Sequence, residues 1–205
     1  MADSGKNQVW NVPNQISAAR LLLSVVVFVL IPLQYYWAAL AVFVIAAGTD
    51  WVDGWYARKY DLVTQLGRIL DPFCDKILIC GIYILLAVEM NEGFEWYAKI
   101  AGWMAVVVVG RELLVTVLRS LIEGAGGDFS AKWAGKLKMG FQCIAVGAAL
   151  VALALKKADG DAPIPAWVNW TLIIFAWVAV VSTLYSGWQY VVSASSFLTA
   201  PAKND

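Results

Sequence analysis

Six long apolar segments occupy most of this 205-residue chain. A helix needs about 20 consecutive apolar residues to cross the hydrocarbon core of a bilayer. Each of the six segments is long enough to cross it or nearly so. Too little chain lies between the segments for a large soluble domain. We therefore predict an all-α fold, a six-transmembrane-helix integral membrane bundle. Residues 1–205 form its single domain, and residues 1–16 form a short N-terminal interfacial segment.

The predicted spans are joined by short polar connections. The first apolar segment is followed almost at once by another, so we interpret it as a retained helix and not as a cleaved signal sequence. The spans cover about 17–33, 38–58, 68–90, 97–121, 136–155 and 167–192.

The composition agrees with a membrane protein and limits its chemistry. Hydrophobic residues make up 61% of the chain and charged residues 15%, against about 25% charged residues in an average soluble domain. The formal net charge is zero, so charge indicates no nucleic-acid partner. The chain has no histidine. Any catalysis must therefore use carboxylates, lysine, arginine or a metal ion.

Lysine and arginine indicate the orientation in the membrane. They concentrate on the side that holds both termini, the 58–68 turn and the 120–138 loop, whereas the opposite loops are rich in acids. Cytoplasmic loops carry the excess of basic residues. We therefore predict a bacterial-type inner-membrane protein with both termini in the cytoplasm.

Four aspartates stand where the second span ends and the third begins. Asp50 and Asp53 are three positions apart, and Asp71 and Asp75 are four apart, so each pair forms a stripe on one helix face. The two spans are predicted to be antiparallel neighbours, which lets the stripes face each other at the cytoplasmic end. Four facing carboxylates repel strongly unless a cation neutralises them.

The oxygen ligands suggest a metal-dependent reaction at a phosphate. Carboxylates suit Mg²⁺ or Mn²⁺, and four are enough for two ions. Such a pair, about 3.5–4 Å apart, commonly clamps the oxygens of a phosphoryl transfer. Arg58 is placed to bind phosphate oxygens, and Gly54 and Gly67 leave room for a ligand. One aspartate would take a proton from an incoming hydroxyl. The alternative is a set of solvated acids paired with nearby basic residues.

A second group of charges indicates a pocket for a phosphorylated acceptor. Arg111 lies inside the fourth predicted span, where an arginine is expected to face the bundle interior and meet an anion. Lys136 and Lys138 begin the fifth span on the same side, and Arg119 ends the fourth. As alternatives, Arg111 pairs with the adjacent glutamate or an aspartate, and the lysines extend to the membrane surface.

The spacing of the aspartates carries a resemblance to a known family. The stretch resembles, at every defining position, the signature of the CDP-alcohol phosphatidyltransferases. That resemblance implies a six-span membrane enzyme, usually a homodimer, which moves a phosphatidyl group from CDP-diacylglycerol to an alcohol and releases CMP. The matching residues are Asp50, Asp53, Gly54, Ala57, Arg58, Gly67, Asp71 and Asp75.

The resemblance also implies roles for these residues. Asp75 is implied both as a metal ligand and as the general base acting on the acceptor hydroxyl. The implied ligands of two Mg²⁺ or Mn²⁺ ions are Asp50, Asp53, Asp71 and Asp75. The implied CDP-binding residues are Asp50, Asp53, Gly54, Ala57, Arg58 and Gly67.

Three further stretches are similar to the family branch that uses sn-glycerol 3-phosphate as acceptor and forms phosphatidylglycerophosphate. They are VPNQISAAR, GRELLVTVLR and SAKWAGKLKMGFQ, with Met139 in place of a frequent threonine. This branch implies Arg111, Lys136, Lys138 and Arg119 as ligands of the acceptor phosphate. Cardiolipin synthase and phosphatidylinositol-phosphate synthase of the same fold remain alternatives. An ion-coupled transporter is a more distant one.

Overall fold

A computed structural model describes residues 12–60, 65–124, 133–159 and 163–198. These parts of the chain contain six α-helices and no β-strand, so the predicted all-α fold is confirmed there. The helices are α1 (Val12–Leu30), α2 (Tyr36–Tyr60), α3 (Gln65–Glu89), α4 (Gly102–Gly124), α5 (Trp133–Asp159) and α6 (Ala166–Leu198).

One predicted boundary was wrong. The fourth span was expected to begin at residue 97, but α4 begins at Gly102 after a stretch of turns. Tyr97 was predicted to lie in the span, yet its ring packs edge to face against that of Trp96 at the surface, with centroids 5.6 Å apart. Helix α1 begins at Val12, within residues 1–16, whose interfacial position stays a prediction. Residues 1–11 lie outside the described residues.

A tight turn joins α1 to α2. The amide of Gln34 donates to the carbonyl of Ile31 at 2.8 Å, and Gln34 has a φ of 60°. Residues other than glycine rarely adopt this left-handed conformation. Lys157 at the end of α5 donates from Nζ to the Gln34 carbonyl at 3.0 Å. The turn is therefore anchored to the far end of α5.

The far ends of α2 and α3 are joined by a hydrogen bond. Tyr36, the first residue of α2, donates from Oη to Oε2 of Glu89, the last residue of α3, at 2.7 Å. At the other end only four positions separate Tyr60 from Gln65. Because both pairs of ends are close, α2 and α3 run antiparallel. The aspartate-bearing parts of the two helices therefore lie at the same end of the bundle.

The outside of the bundle is apolar, unlike the surface of a water-soluble protein. Large apolar side chains there are exposed, among them Leu22 at 69%, Val88 at 67% and Val106 at 71%. The interior is mostly apolar as well, but it also holds buried polar side chains, including Arg20 at 1% and Gln142 at 1% exposure. Soluble proteins rarely expose large continuous apolar surfaces. This distribution fits a bundle surrounded by lipid.

Two helices in the described part are long and apolar enough to cross a membrane by length and composition. They comprise Leu137–Ala158 within α5 and Ala166–Ser195 within α6. Shorter apolar helical stretches cover Ala18–Leu30 and Tyr36–Thr49. The crossing of the membrane by all six helices stays a prediction.

Candidate active site

The predicted donor residues lie on the last turns of α2 and the first half of α3. Asp50 and Asp53 are about one turn apart on α2, and Asp71 and Asp75 are about one turn apart on α3. The structure describes the helical backbone here but not these side chains. Their roles in metal and CDP binding stay predictions. The same applies to Gly54, Ala57 and Arg58 on α2 and Gly67 on α3.

A buried ion-pair cluster joins α4 to α5. Nη1 of Arg111 lies 3.3 Å from both carboxylate oxygens of Glu112. Lys138 of α5 donates from Nζ to Oε1 of the same glutamate. The side chains of Arg111, Glu112 and Lys138 are only 9%, 9% and 6% exposed. Two cations from different helices thus share one carboxylate away from solvent.

The Arg111–Glu112 contact is unusual because the two residues are adjacent. Neighbouring side chains on a helix project in different directions and do not normally face each other. Here the Glu112 carboxylate accepts from Arg111 and also from Lys138 of α5. The pairing of Arg111 with Glu112 was the alternative interpretation of the sequence, and it occurs. The alternative in which Lys138 extends to the membrane surface does not occur, since its ammonium group is buried against Glu112.

Lys76 connects this cluster to the aspartates of α3. Its Nζ donates to Oγ1 of Thr116, and Thr116 in turn donates to the carbonyl oxygen of Glu112 at 2.6 Å. Lys76 directly follows Asp75 in the chain. The cluster therefore lies beside the part of α3 that carries the predicted base. We call Lys76, Arg111, Glu112, Thr116 and Lys138 the basic cluster.

Helix α6 supports Arg111 from the other side. The guanidinium carbon of Arg111 lies 5.3 Å from the centroid of the Tyr190 ring, a cation–π distance. One turn earlier, a methyl group added to Gly187 would lie 3.2 Å from Cγ of Arg111. Gly187 is therefore suited to let the arginine stem pass close to α6. These contacts hold the guanidinium between α4 and α6.

A further buried polar contact joins α5 to α6. Gln142 lies one turn beyond Lys138 on α5 and donates from Nε2 to Oγ1 of Thr183 on α6 at 3.3 Å. Gln142 is 1% exposed and Thr183 is fully buried. Buried polar groups normally require such partners. The bond ties α5 to α6 directly beneath the basic cluster.

The structure brings together part of the predicted acceptor set. Arg111 and Lys138 share Glu112, and Arg119 is partly buried two turns after Arg111 on the same helix. Lys136 belongs to α5, but its side chain lies outside the described residues. The sequence interpretation did not assign Lys76, Thr116 or Tyr190 to this pocket. The position of Lys76 next to Asp75 could have indicated that it lies near the predicted site. Nothing in the sequence around Tyr190 indicated its contact with Arg111.

The charges of the basic cluster suit a phosphate ligand. Arg111 and Lys138 contact the Glu112 carboxylate, and Lys76 is linked to the same residue through Thr116, so this cluster holds three cations and one carboxylate among its described side chains. Nε of Arg111 is buried and has no hydrogen-bond partner within the described part of the chain. A buried donor without a partner is costly. A phosphate oxygen would satisfy it.

The described side chains contain no group of three acidic or cysteine residues that could hold a metal ion. The four aspartates lie outside that set, so the predicted metal centre remains assigned to Asp50, Asp53, Asp71 and Asp75 alone.

Comparison with known proteins agrees with the resemblance seen in the sequence. A CDP-diacylglycerol–glycerol-3-phosphate 3-phosphatidyltransferase of Bacillus subtilis (strain 168) is 34% identical over 203 residues, covering 89% of this chain and 94% of the relative. A protein of the same name from Pseudomonas fluorescens is 31% identical, covering 95% of each chain. One from Escherichia coli (strain K12) is 29% identical, covering 92% and 97%. The CDP-alcohol phosphatidyltransferase family profile matches residues 10–185, and the chain therefore belongs to this family of enzymes.

Proposed function

We propose that this enzyme transfers the phosphatidyl group of CDP-diacylglycerol to sn-glycerol 3-phosphate, forming phosphatidylglycerophosphate and CMP. The relatives named above carry this activity in their names. The observation that carries the proposal in the structure is the basic cluster, in which Lys76, the residue after Asp75 on α3, is linked through Thr116 to the pair of cations Arg111 and Lys138. An acceptor with a phosphate group requires such a pocket, whereas inositol does not.

The donor half of the site is assigned to α2 and the start of α3. The CDP moiety would bind at Asp50, Asp53, Gly54, Ala57, Arg58 and Gly67. Arg58 would pair with the diphosphate, for which a guanidinium has matching geometry. Glycines at the other two positions would let the nucleotide approach the backbone.

The four aspartates fit Mg²⁺ or Mn²⁺ because carboxylate oxygens are the ligands these hard cations prefer. Two helical pairs at the same end of an antiparallel hairpin would hold two ions between them. Bound there, the ions would neutralise charge that develops on the diphosphate during transfer. The proposed ligands are Asp50, Asp53, Asp71 and Asp75.

The acceptor half of the site would orient glycerol 3-phosphate. Arg111 and Lys138 would bind its phosphate, with Lys136 and Arg119 contributing further positive charge. Asp75 would take the proton from the attacking hydroxyl, because the chain has no histidine to act as base. A bond forms between that hydroxyl oxygen and the phosphatidyl phosphorus. The bond from this phosphorus to the CMP oxygen breaks.

We further propose that all six helices cross the inner membrane and that the site faces the cytoplasm. The helices contain 19 to 33 residues, and about 20 are needed to cross a bilayer. The exposed apolar side chains on the outside of the bundle support this arrangement. The excess of lysine and arginine at the aspartate end supports the orientation. Homodimerisation is proposed from the family resemblance.

An acceptor panel tests the proposed function. Purified protein with CDP-diacylglycerol and Mg²⁺ or Mn²⁺ is offered glycerol 3-phosphate, inositol phosphate, inositol, serine or phosphatidylglycerol, and CMP release is measured. We expect release with glycerol 3-phosphate only. Release with phosphatidylglycerol would instead identify a cardiolipin synthase. Release with inositol phosphate would identify a phosphatidylinositol-phosphate synthase.

A further inference from the structure

Glu112 places a negative charge inside a pocket that is proposed to bind a negatively charged acceptor. Its carboxylate contacts Arg111 and Lys138, two of the residues assigned to the acceptor phosphate. All three side chains are nine-tenths buried or more. A carboxylate at this position repels a phosphate that approaches the same cations.

Glu112 stabilises the two cations before the acceptor binds. Burying two cations side by side without a counter-charge is strongly unfavourable. Glu112 neutralises part of their charge and bonds to both, which keeps the side chains of Arg111 on α4 and Lys138 on α5 together. Without the carboxylate, the two cations would repel each other across α4 and α5.

The Arg111 guanidinium keeps a hydrogen-bond donor available beside Glu112. Glu112 engages Arg111 through Nη1, and Nε of Arg111 stays buried without a hydrogen-bond partner among the described residues. A guanidinium can bind one anion along one edge and a second anion along another, because its five N–H groups form a fixed fork. Arg111 thus retains a donor for a phosphate while Glu112 is still bound.

We propose that Glu112 is the resident counter-ion of the acceptor pocket, a positioning residue that holds Arg111 and Lys138 when the pocket is empty and weakens the binding of the acceptor phosphate. The inference rests on the proposed function, because it takes glycerol 3-phosphate as the ligand. It assigns Glu112 no contact with the reacting atoms. Binding of the dianionic phosphate shares the cations between two anions and so costs part of the Glu112 interaction.

The test compares the full-length wild type with Glu112→Gln in detergent, by melting temperature at increasing glycerol 3-phosphate. The substitution keeps the shape of the side chain and removes its charge. Without acceptor, we expect the variant to melt about 5 °C or more below the wild type, since the buried cations lose their counter-charge. The half-saturating acceptor concentration is the Kd, which is obtained by fitting the logarithmic rise of melting temperature with acceptor concentration. It should fall at least about fivefold, because a repulsive charge is gone.

Glu89→Gln is the matched control. It also removes a hydrogen-bonded carboxylate, the acceptor of the Tyr36 hydroxyl, but at the opposite end of α3. It should lower the melting temperature without changing the half-saturating acceptor concentration. A shift in that concentration for Glu89→Gln equal to that for Glu112→Gln would mean that the effect reports general stability, and would overturn the assignment.

Other outcomes are equally decisive. An unchanged or higher half-saturating concentration in Glu112→Gln overturns the proposal, since the glutamate would then help the phosphate bind or play no part. Should the single variant not fold, the double variant Glu112→Gln/Lys138→Met decides. The double variant removes both partners of the Glu112–Lys138 ion pair, so no unpaired lysine charge stays buried. Recovery of folded protein supports the counter-ion role, and no recovery overturns it.

Failure of the proposed function itself gives a different result. Wild-type protein that releases CMP with glycerol 3-phosphate, while neither protein is stabilised by that acceptor, overturns the placement of Glu112 in the acceptor pocket only. Wild-type protein that shows neither stabilisation nor CMP release overturns the proposed function, and the inference with it.

Discussion

Arg111 is the residue on which the proposed acceptor pocket depends most. Its guanidinium is held by Glu112 on its own helix and by the Tyr190 ring on α6, and its stem passes Gly187. A lysine could not reproduce this arrangement, because an ammonium group is a point charge without the planar fork of a guanidinium. These contacts hold the N–H groups of the guanidinium in place before the acceptor phosphate binds.

Replacing Arg111 should therefore change the KM for glycerol 3-phosphate and not the KM for CDP-diacylglycerol. We expect Arg111→Lys to raise the KM for glycerol 3-phosphate about 10-fold or more, since charged hydrogen bonds are lost, with the KM for CDP-diacylglycerol within about twofold of wild type. Steady-state kinetics with each substrate varied in turn measure this. Lys157→Met, which removes an exposed cation from the far end of α5, is the control. An unchanged acceptor KM would remove Arg111 from the pocket.

The four aspartates carry a separate prediction. Asp71→Asn should abolish CMP release from CDP-diacylglycerol, because it removes one of the proposed carboxylate ligands. Excess EDTA should abolish CMP release by the wild type, and added Mg²⁺ or Mn²⁺ should restore it. Glu95→Gln changes an exposed carboxylate in the loop before α4 and should leave activity unchanged. Full activity in excess EDTA would contradict the metal-dependent mechanism.

At the scale of the helices, close packing of α1 against α3 fixes the element that carries Asp71 and Asp75. The Phe28 ring of α1 lies against Gly81 of α3, where an added methyl group would come within 2.2 Å of the ring carbon Cζ. No side chain other than hydrogen fits there without movement of the ring. The Tyr36–Glu89 hydrogen bond fixes the other end of the same helix to α2.

Enlarging Gly81 should consequently destabilise the bundle. We expect Gly81→Ala to cost about 1–3 kcal/mol through overpacking, seen as a lower melting temperature in detergent. Phe28→Leu in the same chain should recover part of this loss by making room. The control is Gly147→Ala on α5, where the added methyl group would meet only Leu40 at an ordinary 3.9 Å. Equal destabilisation by both alanines would contradict the importance of the α1–α3 contact.

The whole molecule separates apolar and polar side chains in the manner of a membrane protein, and this has a consequence for topology. Both termini and the aspartate end of the bundle are proposed to face the cytoplasm. A reporter fused after Asp205 should therefore be active in the cytoplasm. A cysteine placed at Glu95 should react with membrane-impermeant reagents from outside the cell. Labelling from outside of a cysteine near the C-terminus would overturn this orientation.

Much of this architecture could be predicted from the sequence, for physical reasons. Continuous apolar segments must become helices in lipid, because only internal hydrogen bonds satisfy the backbone there. Helix ends were harder to predict, as the start of α4 shows, because aromatic residues at a membrane surface resemble span residues in composition. The position of Arg111 within a span indicated an anion, but the choice between Glu112 and a ligand depends on tertiary contacts.

The partners of the basic cluster lie on three helices and are far apart in the chain. Lys138 is 26 positions from Glu112, and Lys76 is 40 positions from Thr116. No periodicity of apolar residues reports such contacts. They depend on the packing of both α4 and α5 against α3. The donor residues, in contrast, lie within a short continuous stretch whose spacing was informative by itself.

The most direct test of the central claim is identification of the lipid product. Purified protein is incubated with CDP-diacylglycerol, glycerol 3-phosphate and Mg²⁺ or Mn²⁺, and lipid and nucleotide products are quantified by mass spectrometry. We predict phosphatidylglycerophosphate and CMP in equal amounts, with neither formed by Asp75→Asn. CMP without phosphatidylglycerophosphate, or an undiminished yield from Asp75→Asn, would contradict the proposed reaction and its general base.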